Sequence, residues 1–362
     1  MADDAGYDAL LVVGFGGPEG PDDVLPFLEN VTRGRSVPPA RLAEVAAHYA
    51  HFGGVSPLNA QLHDLTLALR KSLAERGPDL SVYWGNRNWH PYLADTLRAM
   101  RDDGVGRVLA LVTSPYSSYS GCRQYREDLA AARAEVGPGA PVIDKIRQFY
   151  DHPGFIDCFV RSTVDALELL GPAERASARL VFAAHSLPLS LVAHSGPDPA
   201  RGTYVEQLRE TARLVADRVA VTTGRFHAWS IAFQSRSGPP TQPWLEPDVA
   251  ERISTLNREG ASGVVVVPIG FVSDHIEVLW DLDVVAAGRA AELGLPFRRA
   301  ATPGSDPVYI DMVRELVLER LGPSTPRRAM GRIGPSWDTC ALTCCLPVRG
   351  EPKPTVGDTV PT

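Results

Sequence analysis

Gly263-Val-Val-Val-Val-Pro-Ile-Gly-Phe271 is the stretch that decides the fold. Its valine run has no polar residue on either parity, so a strand here must be covered on both faces. Such strands belong to parallel sheets, where helical crossovers cover both sides. Immediately afterwards the chain turns polar, Val272-Ser-Asp-His-Ile-Glu277, so the strand empties into a loop that opens a helix.

Working outward, similar short apolar runs occur at Ala9–Phe15, Leu80–Trp84, Arg107–Val112, Val142–Ile146, Arg179–Ala184 and His227–Phe233. Helix-length amphipathic segments alternate with them. One begins at Ser56-Pro57, a capping residue before proline, and runs to Gly77. Others span Pro91–Asp103, Pro153–Leu170 and Asp306–Leu321. This alternation predicts an α/β protein with helices on both sheet faces. The strands fall into two sets, which predicts two similar lobes, 1–150 and 151–322, with a cleft between them. A linker with a cysteine-rich segment follows (323–346), and a Pro-, Gly- and Thr-rich tail (347–362) is expected to be disordered.

Of the 362 residues, 44% are hydrophobic and 22% charged, enough for a sizeable core. The net charge of −7 and the absence of a long basic run argue against nucleic acid or an anionic membrane as a partner. No apolar run is long enough to span a membrane. The acidic start, Met1-Ala-Asp-Asp4, is unlike a signal peptide, so the expected location is the cytoplasm. There the five cysteines are expected to be ligands or free thiols.

Four features carry chemistry. The first strand ends in Gly14-Phe-Gly-Gly-Pro-Glu-Gly20, which imitates a dinucleotide-binding loop. Glu19 occupies the third glycine position and Pro18 removes an N–H, so the better reading is a tight turn beside a cleft with Phe15 pointing into it. Second, Phe182-Ala-Ala-His185-Ser-Leu-Pro188 puts a histidine at the carboxyl end of a strand, where open parallel sheets bind ligands. A structural histidine is the plainer alternative.

Third, a helix beginning near Asp274 would align Asp274, Glu277 and Asp281 on one face, suited to passing a hydrated divalent cation. A capping box would explain Asp274 and Glu277 but not Asp281. Fourth, Cys340-Ala-Leu-Thr-Cys344-Cys345 lies in a segment with little apolar material, which a metal group would order. An iron–sulfur cluster or a structural zinc takes four ligands, so Cys122 or Cys158 would complete the set.

Together these blocks resemble the ferrochelatases over nearly the whole chain to Leu321. The resemblance rests on Leu11–Pro18, Gly53-Gly-Val-Ser-Pro57, Ser114-Pro-Tyr-Ser-Ser-Tyr-Ser120, Ala184-His-Ser-Leu-Pro188, Phe233-Gln-Ser-Arg236 with Pro243-Trp-Leu245, and Ser273-Asp-His-Ile-Glu277. It implies a chelatase-like fold of two Rossmann-like lobes around a porphyrin cleft. It further implies that His185 and Glu277 face the porphyrin centre and that Fe²⁺ is a substrate. Actinobacterial members of the family add a [2Fe–2S] cluster, with ligands implied here at Cys158, Cys340, Cys344 and Cys345. They make haem through coproporphyrin III, which is therefore the expected substrate, with protoporphyrin IX as the alternative.

Gram-positive relatives often have tyrosine where this chain has Phe15, which cannot ligate iron. Asp281 is expected to handle the ion behind Glu277, and Arg33, Ser56 and Tyr125 to hold substrate carboxylates. A monomer meeting haem-pathway enzymes only transiently is expected. The competing readings are a chelatase for another metal, a haem or iron–sulfur sensor on the same scaffold, and a nucleotide-dependent oxidoreductase.

Overall fold

The computed structural model describes residues 6–34, 37–197, 203–238, 241–322 and 324–358. Two four-stranded parallel sheets organise it. The first holds β1 (Ala9–Gly14), β2 (Ser81–Asn86), β3 (Arg107–Val112) and β4 (Val142–Lys145) in the order β2-β1-β3-β4. The second holds β5 (Arg179–His185), β6 (Trp229–Gln234), β7 (Val264–Val267) and β8 (Phe297–Arg299) in the order β6-β5-β7-β8. The seven expected strands are all present. The additional β8 has only three residues, Phe-Arg-Arg, and among the described residues pairs only with β7. It is too short and polar to announce itself in sequence.

β7, the valine run, is fully buried and lies between β5 and β8, paired in parallel to each. In each sheet the strand order reverses beside the first strand, between β1 and β3 and between β5 and β7. Such switch points leave a crevice at the carboxyl ends of the strands. Gly14-Phe15 and the 114–122 segment leave from one crevice; His185 and the 270–277 loop leave from the other.

A single apolar core runs through both lobes, from Leu10 and Val12 across Phe149, Phe155 and Phe159 to Phe182 and Val265. The last helix, Pro307–Leu321, packs on Pro153–Glu168 and also returns to Leu58–Arg76 of the first lobe. Arg314 Nε donates to the Gly77 carbonyl at 2.6 Å, and Arg147 and Glu319 form a buried two-bond pair at 2.7 and 2.9 Å. Among the described residues, no helix is long and apolar enough to cross a membrane.

The tail departs from expectation. As far as Asp358 it is docked rather than disordered: Val356 is buried in the first lobe's core, and its carbonyl accepts from Arg126 Nε at 2.7 Å. Composition predicted disorder because it is blind to buried arginines elsewhere in the chain that bind backbone carbonyls. Residues 359–362 lie outside the described residues, as does Arg35 of the Arg33-Gly-Arg35 motif.

Candidate active site and cysteine site

β5 delivers His185 to the crevice, and the loop after β7 delivers Glu277. His185 Nε2 lies 3.6 Å from Glu277 Oε2, and the side chains keep 36% and 53% of their surface open. The Ser186 carbonyl, 2.5 Å from His185 Nδ1, can only accept, so Nδ1 carries a proton and Nε2 faces Glu277. Burial works to lower the His185 pKa, but the close approach and negative charge of Glu277 outweigh it and raise it. Burial likewise works to raise Glu277, yet His185, then His275 and Arg41, hold it at about 2. Each of the two therefore favours the charged form of the other.

The expected row of three carboxylates is not formed. The helix begins at Ile276, so Asp274 lies outside it, with its carboxylate held by Arg299 at 3.1 and 3.2 Å and by the Thr302 hydroxyl. Arg299 also donates to Asp283 at 2.7 Å. Glu277 and Asp281 do remain together, four residues apart on neighbouring turns, with Gln234 Nε2 donating to the Glu277 carbonyl at 3.3 Å and to Asp281 Oδ2 at 3.4 Å. Residues Leu279–Ala286 form a π-helix.

Asp281 accepts from Ser235 Oγ at 2.5 Å, and Ser235 holds the left-handed φ of 61° that this contact accompanies. Burial above all, opposed by that hydrogen bond and helped by Glu277's charge, pushes Asp281 up to about 6. Gln234 and Ser235 had entered the sequence reading only within a matching block. Their polar character at a strand's carboxyl end was the available signal.

Internal hydrogen bonds tie down the Gly14–Gly20 turn. The Gly17 N–H donates to Asn59 Oδ1, the Gly14 and Phe15 carbonyls accept from Arg87 and Asn88 N–H, and a side chain at Gly14 would strike Leu62 and Asn86. Phe15, 36% exposed, opens beside Phe27 with the Arg87 guanidinium 5.7 Å from its ring. Two of the other candidate substrate residues are buried. Ser56 is buried against Gly17, and Tyr125 is buried under Arg87, whose guanidinium is 4.8 Å from its ring. Arg33 is exposed and lies near Tyr92. From the first lobe, the helix Pro39–His51 meets the π-helix, with the His48 ring stacked on Trp280 at 4.0 Å.

The cysteines require a correction. Cys158 lies on the helix Pro153–Glu168 and faces Arg161, Asp306 and Tyr309, away from the tail. Cys122 is the residue that joins Cys340, Cys344 and Cys345, through a hydrogen bond with Cys340. Helix Pro153–Glu168 turns Cys158 toward the last helix, whereas the segment leaving β3 carries Cys122 to the tail.

The four thiols are buried, and Cys344 Sγ lies 3.8 Å from Cys345 Sγ. N–H groups donate to three of the sulfurs: Gln148 Nε2 to Cys122 at 2.8 Å, Trp337 Nε1 to Cys340 at 3.3 Å and the Gly196 amide to Cys345 at 3.1 Å. Hydrogen bonds from Cys122 and Cys344, then the charges of Lys145 and Arg126, draw Cys340 toward thiolate against the effect of burial. Among the described residues, no three or more His, Cys, Asp or Glu side chains are arranged to hold a metal ion. The thiols are instead hydrogen-bonded to one another. Their donor chemistry, four sulfurs with N–H donors and cations around them, suits a thiolate-bound metal group.

The chain is 52% identical to a coproporphyrin III ferrochelatase of Streptomyces griseus over 98% of its own length and 96% of that protein's. It is 55% identical to one of Frankia alni over 96% and 88%, and 49% identical to a ferrochelatase of Rhodopirellula baltica over 94% and 93%. Among solved structures, SirB from Bacillus subtilis with Fe³⁺ shares the fold at a TM-score of 0.51 and 12% identity, covering 87% of this chain and 97% of that one. The ferrochelatase family profile matches residues 7–321, and with these relatives it shows that the chain belongs to the ferrochelatase family.

Proposed function

We propose that this protein inserts Fe²⁺ into coproporphyrin III to give coproheme, with His185 and Glu277 at the metal and proton site. The observation that carries this reading is the His185–Glu277 pair, 3.6 Å apart and open to the crevice at a sheet switch point. The substrate choice follows the relatives from Streptomyces griseus and Frankia alni, which are named for coproporphyrin III.

Metallation requires the ion to shed water, two pyrrole protons to leave, and the ring to distort toward the metal. Porphyrin entering the crevice separates the pair. Once its proton has passed on, His185 accepts a pyrrole proton at Nε2, its Nδ1–H remaining on the Ser186 carbonyl. Glu277, ionised, receives the ferrous ion or the departing proton. Asp281, at about 6, can both take and release protons near neutrality and so links Glu277 to solvent. Arg33, with Ser56 and Tyr125 behind the cleft wall, is assigned to the substrate carboxylates; remote binding of this kind can supply ring distortion.

The cysteine site is read as the holder of a [2Fe–2S] cluster on Cys122, Cys340, Cys344 and Cys345. The buried four-sulfur donor set and its N–H donors support this. Such a group supplies binding energy that orders the segment carrying it. The protein is assigned to the cytoplasm as a monomer.

The test is an anaerobic assay with Fe²⁺ and, in parallel, coproporphyrin III and protoporphyrin IX, following porphyrin fluorescence. Faster turnover of coproporphyrin is expected. Preference for protoporphyrin would overturn the substrate, and binding without turnover of either would point to a sensor.

A further inference from the structure

The cysteine site and His185 lie in different parts of the fold, yet both ends of the cysteine set lead to one side chain. At one end, Cys345 and Gly196 exchange two hydrogen bonds: the Cys345 amide donates to the Gly196 carbonyl at 3.2 Å, and the Gly196 amide donates to Cys345 Sγ at 3.1 Å. The neighbouring Ser195 accepts from the Tyr204 amide at 3.0 Å. Tyr204, 5% exposed, donates its hydroxyl to the backbone carbonyl of His185 at 2.9 Å.

At the other end, the segment carrying Cys122 docks on the helix Thr203–Thr223, which also carries Tyr204. The Ser117 amide donates to Gln207 Oε1 at 2.7 Å, and Gln207 Nε2 donates back to Ser117 Oγ at 3.0 Å. Tyr116 stands edge-on to Tyr204, ring centres 6.0 Å apart, and donates its hydroxyl to the Ile269 carbonyl at 3.0 Å. Ile269 opens the loop that carries Glu277. The polar groups of this route are engaged in hydrogen bonds, and close-packed interiors shift between discrete arrangements rather than yielding smoothly.

We propose that Tyr204 is a positioning residue for His185 and that the four-cysteine segment fixes Tyr204, so that disturbing the cysteine site displaces the catalytic histidine. This rests on the assignment of His185 to metallation. Tyr204 touches no reacting atom; it holds the end of β5 from which the imidazole projects.

The experiment compares the full-length protein with Tyr204→Phe, Cys345→Ser and the double variant. Turnover and porphyrin KM are measured, together with the NMR signal of the His185 ring, identified by its loss in His185→Asn. Tyr204→Phe keeps the ring and removes the hydroxyl. It should lower kcat about tenfold, since small misplacements at a reacting centre cost that much or more. Porphyrin KM should stay within about twofold, because uniform binding is untouched.

Cys345→Ser should move the His185 signal in the same direction. The double variant should be no worse than the more impaired single variant, because coupled groups are not additive. An unmoved His185 signal in Tyr204→Phe, or additive losses in the double variant, would overturn the proposal. If Tyr204→Phe does not fold, Ser195→Ala, which removes the Tyr204 amide's acceptor, reads the same signal with the same outcomes. The NMR measurement needs neither turnover nor a loaded cysteine site. Normal turnover in His185→Ala would instead defeat the assignment of His185, separately from the link to Tyr204.

Discussion

Glu277 Oε2 lies 3.6 Å from His185 Nε2, on the side of the ring opposite the Ser186 carbonyl that holds Nδ1. The backbone thereby fixes the ring's orientation, and the carboxylate favours a proton on the nitrogen that faces the crevice. Proton transfer by a positioned side chain contributes roughly 10²–10⁴-fold to rate. His185→Ala should therefore reduce kcat for metallation by about that range. Both side chains are open to the crevice, so melting temperature should change little. Near-normal turnover in a well-folded variant would remove His185 from the reaction.

Asp281 gives the enzyme a titration near neutrality. Its carboxyl sits at about 6, chiefly because it is buried, so the ionised form able to take a proton is depleted as pH falls through that value. kcat should drop on the acid side with an inflection near 6, and Asp281→Asn should abolish that inflection while raising apparent iron KM more than porphyrin KM. Stability carries the matching sign. A carboxyl whose folded-state pKa exceeds its unfolded value favours folding only at low pH and loses that contribution as pH rises through about 6. Any gain in melting temperature from Asp281→Asn should therefore be larger at pH 7.5 than at pH 4. An unchanged acid limb would rule Asp281 out of the proton path.

The sheets and the two lobes were legible in sequence because buried parallel strands advertise themselves by apolar residues on both parities, as β7 does. The histidine at the end of β5 was legible for the same reason, since the strand's end marks the crevice. The acidic row was misread because helix periodicity was counted from Asp274, whereas the chain spends that carboxylate on Arg299 and then widens into a π-helix. Neither a distant ion pair nor a change of helical pitch leaves a local mark. Cys122 and Cys158 could not be separated by spacing, because which one meets the tail depends on how a helix and a loop are turned in three dimensions. Tyr204 carried no signal at all: its hydroxyl acts on a backbone carbonyl, which any residue supplies.

Choosing between those cysteines is a direct spectroscopic matter. Cys122→Ser should abolish the visible absorption of an iron–sulfur group and lower bound iron and sulfide. Cys158→Ser should leave all three intact, because its thiol is packed against Arg161, Asp306 and Tyr309. The reverse pattern would restore Cys158 as the ligand. If the group orders the tail, Cys122→Ser should also lose protection from proteolysis after Leu321.

The final prediction concerns what holds the lobes together. Arg147 and Glu319 keep only 1% and 3% of their side-chain surface, and Glu319 lies on the last helix, which packs against both lobes. A buried pair is no strong net source of stability, but removing one partner strands the other charge and costs about 3–5 kcal/mol. Glu319→Ala should therefore lower the urea midpoint sharply. Replacing both with apolar residues of similar volume, Arg147→Met with Glu319→Leu, should recover much of the loss, because no charge is left buried. The gap between single and double variants isolates the stranded guanidinium. If Glu319→Ala and the double variant unfold at the same urea concentration, the helix is held by its apolar contacts with Leu58–Arg76 and Pro153–Glu168 instead.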